Sequence, residues 1–288
     1  MVVQALIVIL RVAFYTILER KLLGYVQTRK GPNKPGPFGL LVPFADAVKL
    51  IKKEHFIPRQ SNKLLQYIVP ILILMVPLIL WSLYPAANCA LLIKHSALFF
   101  LCVSSLGVYG LLGAGWRRNR KYALLGSVRA VAQSVSYEVC LSIIIVHWIF
   151  FYYFDFYKIK LTPLGVFLFA MMLLLISSAI AETNRSPFDF SEGESELVSG
   201  YNTEYRSVPF LIIFLAEYMS ILFISTMVRV LFNMTLIQDL LFFFLLWGLL
   251  FIWVRGTLPR YRYDQLMYLA WKSMLPVVLC SAGLTFLM

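Results

Sequence analysis

The apolar residues of this 288-residue chain are grouped in long stretches that are separated by shorter polar segments. A helix that crosses a membrane needs about 20 apolar residues. Eight stretches approach that length, and they cover residues 2–19, 64–84, 95–115, 131–153, 161–181, 208–232, 237–254 and 266–287. The pattern predicts an all-α polytopic membrane protein, with about eight transmembrane helices in a single membrane domain over residues 1–288.

The first predicted loop, residues 20–63, is too long to be a simple connector between two spans. Within it, residues 43–54 place apolar and basic side chains on opposite sides of a helix. The apolar stripe holds Phe44, Val48 and Ile51, and the basic stripe holds Lys49, Lys52 and Lys53. This pattern is typical of an amphipathic helix that lies in the membrane interface. The preceding residues 30–39 are rich in Pro and Gly and predict an ordered turn or a hinge.

Composition excludes several other protein classes. Hydrophobic residues make up 60% of the chain and charged residues only 14%, whereas a soluble domain carries roughly 25% charged residues. The four Cys and three His residues are scattered, without the spacing of a zinc, haem or iron–sulfur site. No glycine-rich phosphate loop or dinucleotide fingerprint is present. We therefore expect this chain alone to bind no metal, redox centre or nucleotide.

The net charge of +12 comes from an excess of Lys and Arg over Asp and Glu. Most of the basic residues lie in the first, third, fifth and seventh predicted loops. The positive-inside rule therefore places these four loops on the cytoplasmic or matrix side, and both termini on the opposite side. Because the basic residues sit in loops between spans, we expect no nucleic-acid partner.

Carboxylates occur where an apolar span would not tolerate them without a function. Glu138 lies in the fourth predicted span and Glu217 in the sixth, while Glu19 and Glu182 lie at the ends of the first and fifth. A buried carboxyl group can take up and release protons near neutral pH. The four residues therefore suggest a proton or charge relay that begins at the basic face. For any one of them alone, a structural ion pair or a headgroup contact is the simpler interpretation.

The fifth predicted loop, residues 182–207, is acidic although the other loops on its side are basic. Its acidic residues are Glu182, Asp189, Glu192, Glu194, Glu196 and Glu204. Aromatic residues are interleaved with these charges, which favours a folded cavity over a solvated surface loop.

Five strings of this sequence resemble one known family. They are ERKLLGYVQTRKGPN (19–33), FADAVKLIKKE (44–54), YALLGSVRAVAQSVSYEV (122–139), AETNRSPFDFSEGESELVSGYNTEY (181–205) and RYRYDQLMYLAWK (260–272). They are similar to chain 1 of NADH–ubiquinone oxidoreductase, the membrane subunit of respiratory complex I, in its animal mitochondrial form. Residues 116–121 depart from the resemblance, because they are more basic than the small polar stretch expected there.

The resemblance implies a function for the chain as part of a larger enzyme. It implies a core membrane subunit of proton-pumping NADH:ubiquinone oxidoreductase that forms the quinone-binding chamber and the start of the proton-coupling path. Ubiquinone would be the substrate, while FMN, NADH and the iron–sulfur clusters would belong to partner subunits. The expected partners are the other complex I membrane subunits, the quinone-module subunits of the peripheral arm, and membrane lipids. The location would be the mitochondrial inner membrane, with the basic loops in the matrix and both termini in the intermembrane space.

The resemblance also assigns residues to two sites. Near the quinone chamber it implies Glu19, Arg20, Asp46, Arg185, Phe188, Glu192, Glu194, Glu196 and Glu204. In the proton-coupling path it implies Glu138, Glu182, Glu217 and Tyr218. Three alternatives stay open: the homologous membrane subunit of a membrane-bound hydrogenase-type complex, a stand-alone secondary transporter, and a passive structural anchor for the peripheral arm.

Overall fold

The computed structural model describes residues 2–54, 61–84, 95–117, 119–152, 165–189, 205–231 and 237–287, and over these residues it is helical without strands. The helices are α1 (Val2–Val26), α2 (Val42–Lys52), α3 (Lys63–Trp81), α4 (Ser96–Trp116), α5 (Lys121–Tyr152), α6 (Gly165–Glu182), α7 (Val208–Leu231), α8 (Ile237–Thr257) and α9. The last helix, α9, consists of α-helical Tyr263–Tyr268, π-helical Leu269–Met274 and α-helical Leu275–Leu287. A short 3₁₀ helix, Pro37–Gly39, precedes α2.

The predicted all-α polytopic class is confirmed. Within the described part of the chain, each predicted span falls on a long helix, and α2 coincides with the predicted amphipathic segment. The stretches long and apolar enough to cross a membrane are Lys63–Trp81, Ser96–Trp116, Lys121–His147, Val208–Val228 and Tyr263–Gly283. For α1, α6 and α8, a membrane crossing stays a prediction.

Two helix boundaries differ from the predicted spans. Helix α1 continues to Val26, and α5 begins at Lys121, ten residues before the predicted start of the fourth span. Both extensions carry polar and charged residues, which end an apolar stretch. Polar and charged residues do not by themselves end a helix, because Arg and Lys favour helical backbone as Leu and Ala do.

Helix α5 lies at the centre of the bundle and contacts α4, α6 and α9. Tyr137, Cys140 and Ile144 on α5 are fully buried in the main hydrophobic core. At its N-terminal end α5 approaches α4 closely, because a side chain at Gly115 would collide with Ser127. The packing of α5 therefore fixes the position of the polar residues that it carries.

The predicted basic and acidic loops meet at one end of the bundle. The amide of Asn62 donates to the carbonyl of Arg117 at 2.9 Å, joining the first loop to the third. The Ser207 hydroxyl donates to the Leu50 carbonyl at 3.2 Å, joining the fifth loop to α2. The amide of Tyr261 donates to the Pro187 carbonyl at 3.1 Å, joining the seventh loop to the fifth. Helix α2 is attached to α1, where the rings of Phe44 and Phe14 meet edge to face.

Candidate functional site

A buried carboxylate connects three helices near the end of the bundle where the loops meet. Glu19, on α1, is 6% exposed. The Tyr218 hydroxyl, on α7, donates to Glu19 Oε2 at 2.6 Å. Arg255, near the end of α8, donates from its guanidinium to the other carboxylate oxygen of Glu19. Charge-assisted hydrogen bonds of this kind are stronger than neutral ones, so this cluster holds α1, α7 and α8 together.

A second ion pair lies against the same tyrosine. Arg185, in the turn that follows α6, donates to Glu217 Oε2 of α7 at 3.2 Å, and both side chains are mostly buried. The Arg185 guanidinium lies 4.7 Å from the centre of the Tyr218 ring, within range of a cation–π interaction. Tyr218 therefore joins the two ion pairs into one network. We call Glu19, Arg255, Tyr218, Arg185 and Glu217 the ion-pair network.

The ion-pair network borders a cavity of about 140 Å³. Three carboxyl side chains line it: Glu138 from α5, Glu182 from α6 and Glu217 from α7. The other polar side chains of its wall are Ser104, Ser134, Thr183, Asn184 and Ser220. A water molecule needs roughly 10–15 Å³ of such space and two to four polar partners. A cavity with this volume and lining can therefore hold several water molecules between the carboxyl groups.

The cavity carboxyl groups differ in their hydrogen bonds. The Ser104 hydroxyl donates to Glu138 Oε1 at 3.4 Å, and Glu217 pairs with Arg185. Glu182 Oε2 is enclosed and accepts no hydrogen bond from the residues that the structure describes. Glu182 and Glu138 line the same cavity and lie on helices that pack against each other. Carboxyl groups that share a wet cavity can pass protons or shift charge along it.

A proline of α3, Pro77, lines the cavity as well. Helix α3 contains Pro70 and Pro77, and both are buried. A proline inside a helix lacks an amide proton and removes the hydrogen bond to the carbonyl four residues earlier. Pro77 and Ile73, which are four residues apart, both line the cavity. The interrupted turn of α3 therefore faces the three carboxyl groups.

An apolar groove of about 340 Å³ lies on the outer side of α1. Its walls are formed by Ile7, Leu10, Arg11, Phe14, Tyr15 and Leu18 of α1, and by Leu222 of α7. Tyr15 also belongs to the environment of the ion-pair network, because its ring packs edge to face on Tyr218 with 6.1 Å between the ring centres. The groove therefore runs along the surface of α1 as far as Tyr15, which contacts the ion-pair network.

Among the described residues, Arg20, Asp46 and Phe188 do not line the cavity. Arg20 and Asp46 form an exposed ion pair of 3.0 Å between α1 and α2. Phe188 is buried and stacks on Tyr261 with 5.7 Å between the ring centres, so it packs in the core. The remaining predicted chamber residues, Glu192, Glu194, Glu196 and Glu204, fall outside the described residues.

Comparison with known proteins identifies the family. The family model for NADH dehydrogenase matches residues 1–286. This chain belongs to the NADH dehydrogenase family. It is similar to NADH-ubiquinone oxidoreductase chain 1 of Aedes aegypti, with 53% identity over 280 residues that cover 94% of this chain and 89% of the relative. The chain 1 proteins of Locusta migratoria, with 47% identity over 283 residues, and Branchiostoma lanceolatum, with 47% over 293 residues, are also similar. The resemblance of the five sequence strings is confirmed.

In this NADH dehydrogenase family member, sequence reasoning did not find every residue of the site. Arg255 lies among the basic residues of the seventh loop, where it resembles an ordinary topology determinant, and its partner Glu19 is 236 residues away. Tyr15 lies one helical turn before Glu19, and that spacing was the available signal. Its hydroxyl donates to the Gly248 carbonyl of α8 at 2.9 Å.

Proposed function

We propose that this chain is the core membrane subunit of a proton-pumping NADH:ubiquinone oxidoreductase, respiratory complex I, in the mitochondrial inner membrane. It acts only as a subunit of that enzyme, and its partners are the other membrane subunits and the quinone-module subunits of the peripheral arm. Partner subunits carry NADH, FMN and the iron–sulfur clusters, and ubiquinone is the substrate. The basic loops face the matrix, and both termini face the intermembrane space. The names of the similar proteins support this proposal.

One structural observation carries the proposal furthest. Three carboxyl side chains from three different helices line one cavity, and one of them, Glu217, also belongs to the ion-pair network. Ionisable groups inside a membrane protein are expensive, and they usually mark an ion or proton path. The ion-pair network borders the first, fifth and seventh loops, where a peripheral partner would dock. A charge that forms beside these loops can therefore act on the cavity through Glu217.

The proposed mechanism begins with ubiquinone in the bilayer. The quinone moves along the apolar groove on α1 toward a chamber roofed by the first and fifth loops, near Arg20, Asp46 and the acidic residues of the fifth loop. An iron–sulfur cluster of a partner subunit would supply the electrons for its reduction there, and the anionic product would take up protons. Carboxyl groups of the ion-pair network and the cavity respond by taking up protons or by shifting charge. The change is then passed to proton-pumping partner subunits.

Entry of ubiquinone along the groove can be tested by filling the groove with a larger side chain. Leu10 lies in the groove and is 47% exposed, whereas Leu6, also on α1, is 57% exposed and does not line it. We expect Leu10→Trp to raise the KM for long-tailed ubiquinone several-fold and to change the KM for a short-tailed quinone much less. Leu6→Trp is the matched control and should leave both values unchanged. Equal effects of the two variants would argue against entry along this groove.

The proposed function is tested by purification and by one substitution. The chain should copurify in a large assembly whose NADH–quinone activity is blocked by quinone-site inhibitors. Glu138→Gln should lower quinone-linked proton pumping several-fold, because Gln cannot carry the proton, while NADH oxidation by an artificial acceptor stays intact. Glu54→Gln, at an exposed site after α2, is the control. Unchanged pumping in Glu138→Gln would contradict the role of the cavity, and an assembly that evolves hydrogen would favour the hydrogenase-type complex.

A further inference from the structure

Gln133 is a buried amide that joins α5 to the turn after α6. It is fully buried. Its Nε2 donates to the carbonyl of Ala181 at 3.2 Å and to the carbonyl of Phe188 at 2.8 Å. Both partners are acceptors, so the side chain must present its NH₂ group to them. Both N–H donors of the amide therefore bind carbonyls of one short backbone segment, residues 181–188.

The two carbonyls mark the beginning and the end of the turn that carries part of the site. Between them lie Glu182, Thr183 and Asn184, which line the cavity, and Arg185, which pairs with Glu217. Within the turn, the amide of Phe188 donates to the carbonyl of Arg185 at 2.8 Å. Gln133 thus closes a loop of backbone from which three cavity residues and one member of the ion-pair network project.

On α5, Gln133 is adjacent to the residues that form the α5 wall of the cavity. Ser134 follows it directly, and Glu138 lies little more than one helical turn further on. Both line the cavity. One side chain therefore sets the separation between the wall that carries Glu138 and the wall that carries Glu182. The neighbouring contact of Phe188 with Tyr137, 5.9 Å between ring centres, is apolar and gives no such directional control.

We propose that Gln133 is a positioning residue for the coupling reaction. By holding residues 181–188 it keeps Glu182 facing Glu138 across the cavity and keeps Arg185 within reach of Glu217. The effect on quinone chemistry rests on the proposed function, whereas the tether between α5 and the turn does not. A residue that only packs and forms hydrogen bonds in the core would affect stability without changing the turnover of the assembled complex.

The experiment compares variants in the assembled complex. Gln133→Leu keeps much of the volume but removes both donors, and Gln133→Glu in its neutral form keeps one. The control is Gln4→Leu, because Gln4 Nε2 also donates to a carbonyl, that of Trp81 at 2.7 Å, and neither of these two residues lines the cavity. Hydrogen exchange of the amides in residues 183–189 should be about tenfold faster in Gln133→Leu, because two hydrogen bonds that oppose local opening are lost. Gln133→Glu should be intermediate, and Gln4→Leu should match the wild type.

Turnover provides the second measurement. In Gln133→Leu the kcat for quinone reduction should fall about tenfold with less than a twofold change in KM, while NADH oxidation by an artificial acceptor is unchanged. Unchanged exchange in residues 183–189 overturns the proposal whatever the turnover. Faster exchange with normal kcat overturns the positioning role. If exchange rises and kcat falls while Glu138→Gln pumps normally, the tether is supported and the proposed proton-coupling role of the cavity is contradicted. If Gln133→Leu does not assemble, Gln133→Glu decides by the same two measurements.

Discussion

Glu19→Leu is expected to destabilise the assembled chain by about 3 kcal/mol. The substitution leaves Arg255 without its carboxylate in a partly buried position, and it removes the acceptor of the Tyr218 hydroxyl. Breaking a buried ion pair by removing one partner costs roughly 3–5 kcal/mol, because the remaining charge has no compensation. Arg255 is 31% exposed, which places the expected cost at the lower end. The measurement is the temperature at which the detergent-solubilised complex loses this chain, and we expect it to fall by several degrees.

The neighbouring residue supplies the control. Arg20 follows Glu19 directly in the chain, and its pair with Asp46 is exposed to 58% and 49%. Exposed pairs contribute about 0–1 kcal/mol, so Asp46→Leu should have little effect on the same temperature. The double variant Glu19→Leu with Arg255→Leu should recover part of the lost stability, because no unpaired cation remains. A double variant that is less stable than Glu19→Leu would show that the pair is not the source of the effect.

The fold was largely predictable because a membrane allows few solutions. Backbone groups inside a bilayer must be paired within the segment, so a long apolar stretch implies a helix. The stretches give the approximate number and position of the helices, but they do not give the ends. The first ten residues of α5, from Lys121, are helical without being strongly apolar. Helix formation there follows from backbone propensity and packing, which an apolar pattern does not measure.

The candidate site was predictable in its residue types but not in its pairings. Glu19, Glu182 and Glu217 stand out because each is a charge beside or inside an apolar stretch. Their partners do not, because Arg185 is 32 residues from Glu217 and Tyr218 is 199 residues from Glu19. Phe188 packs between the rings of Tyr137 and Tyr261, and its place near the quinone chamber stays a prediction.

The structure also brings together two groups of residues that the sequence resemblance assigns to different sites. Glu19 and Arg185 were expected near the quinone chamber, and Glu217 and Tyr218 in the coupling path. Tyr218 hydrogen-bonds Glu19, and Arg185 pairs with Glu217. A change of charge at Glu19 is therefore three contacts away from Glu217, a carboxyl group of the cavity, by way of Tyr218 and Arg185. This arrangement allows coupling through short-range electrostatics without a large movement of the helices.

Glu182→Gln is expected to reduce quinone-linked proton pumping by about 100-fold, the lower range of what a positioned acid–base group contributes. Glu182 lines the cavity together with Glu138 and Glu217, and it also borders a smaller apolar cavity between α4, α5, α6 and α7. Its Oε2 accepts no hydrogen bond from the described residues, whereas Glu138 accepts one from Ser104 and Glu217 pairs with Arg185. It is therefore the cavity carboxyl best placed to bind and release a proton. Proton uptake by reconstituted vesicles during NADH oxidation measures the effect.

The substitution separates a proton-carrying role from a structural one. Gln has the shape of Glu and can still form hydrogen bonds, so a residue needed only for packing tolerates the change, and the complex should assemble and oxidise NADH with an artificial acceptor at the normal rate. Glu182→Asp keeps the carboxyl group but withdraws it by one methylene, about 1.5 Å. We expect it to retain more pumping than Glu182→Gln, because a water molecule in the space of the missing methylene can still carry a proton to the carboxyl group. If Glu182→Gln pumps normally while Glu182→Asp does not, the side-chain volume of Glu182 matters and its proton does not.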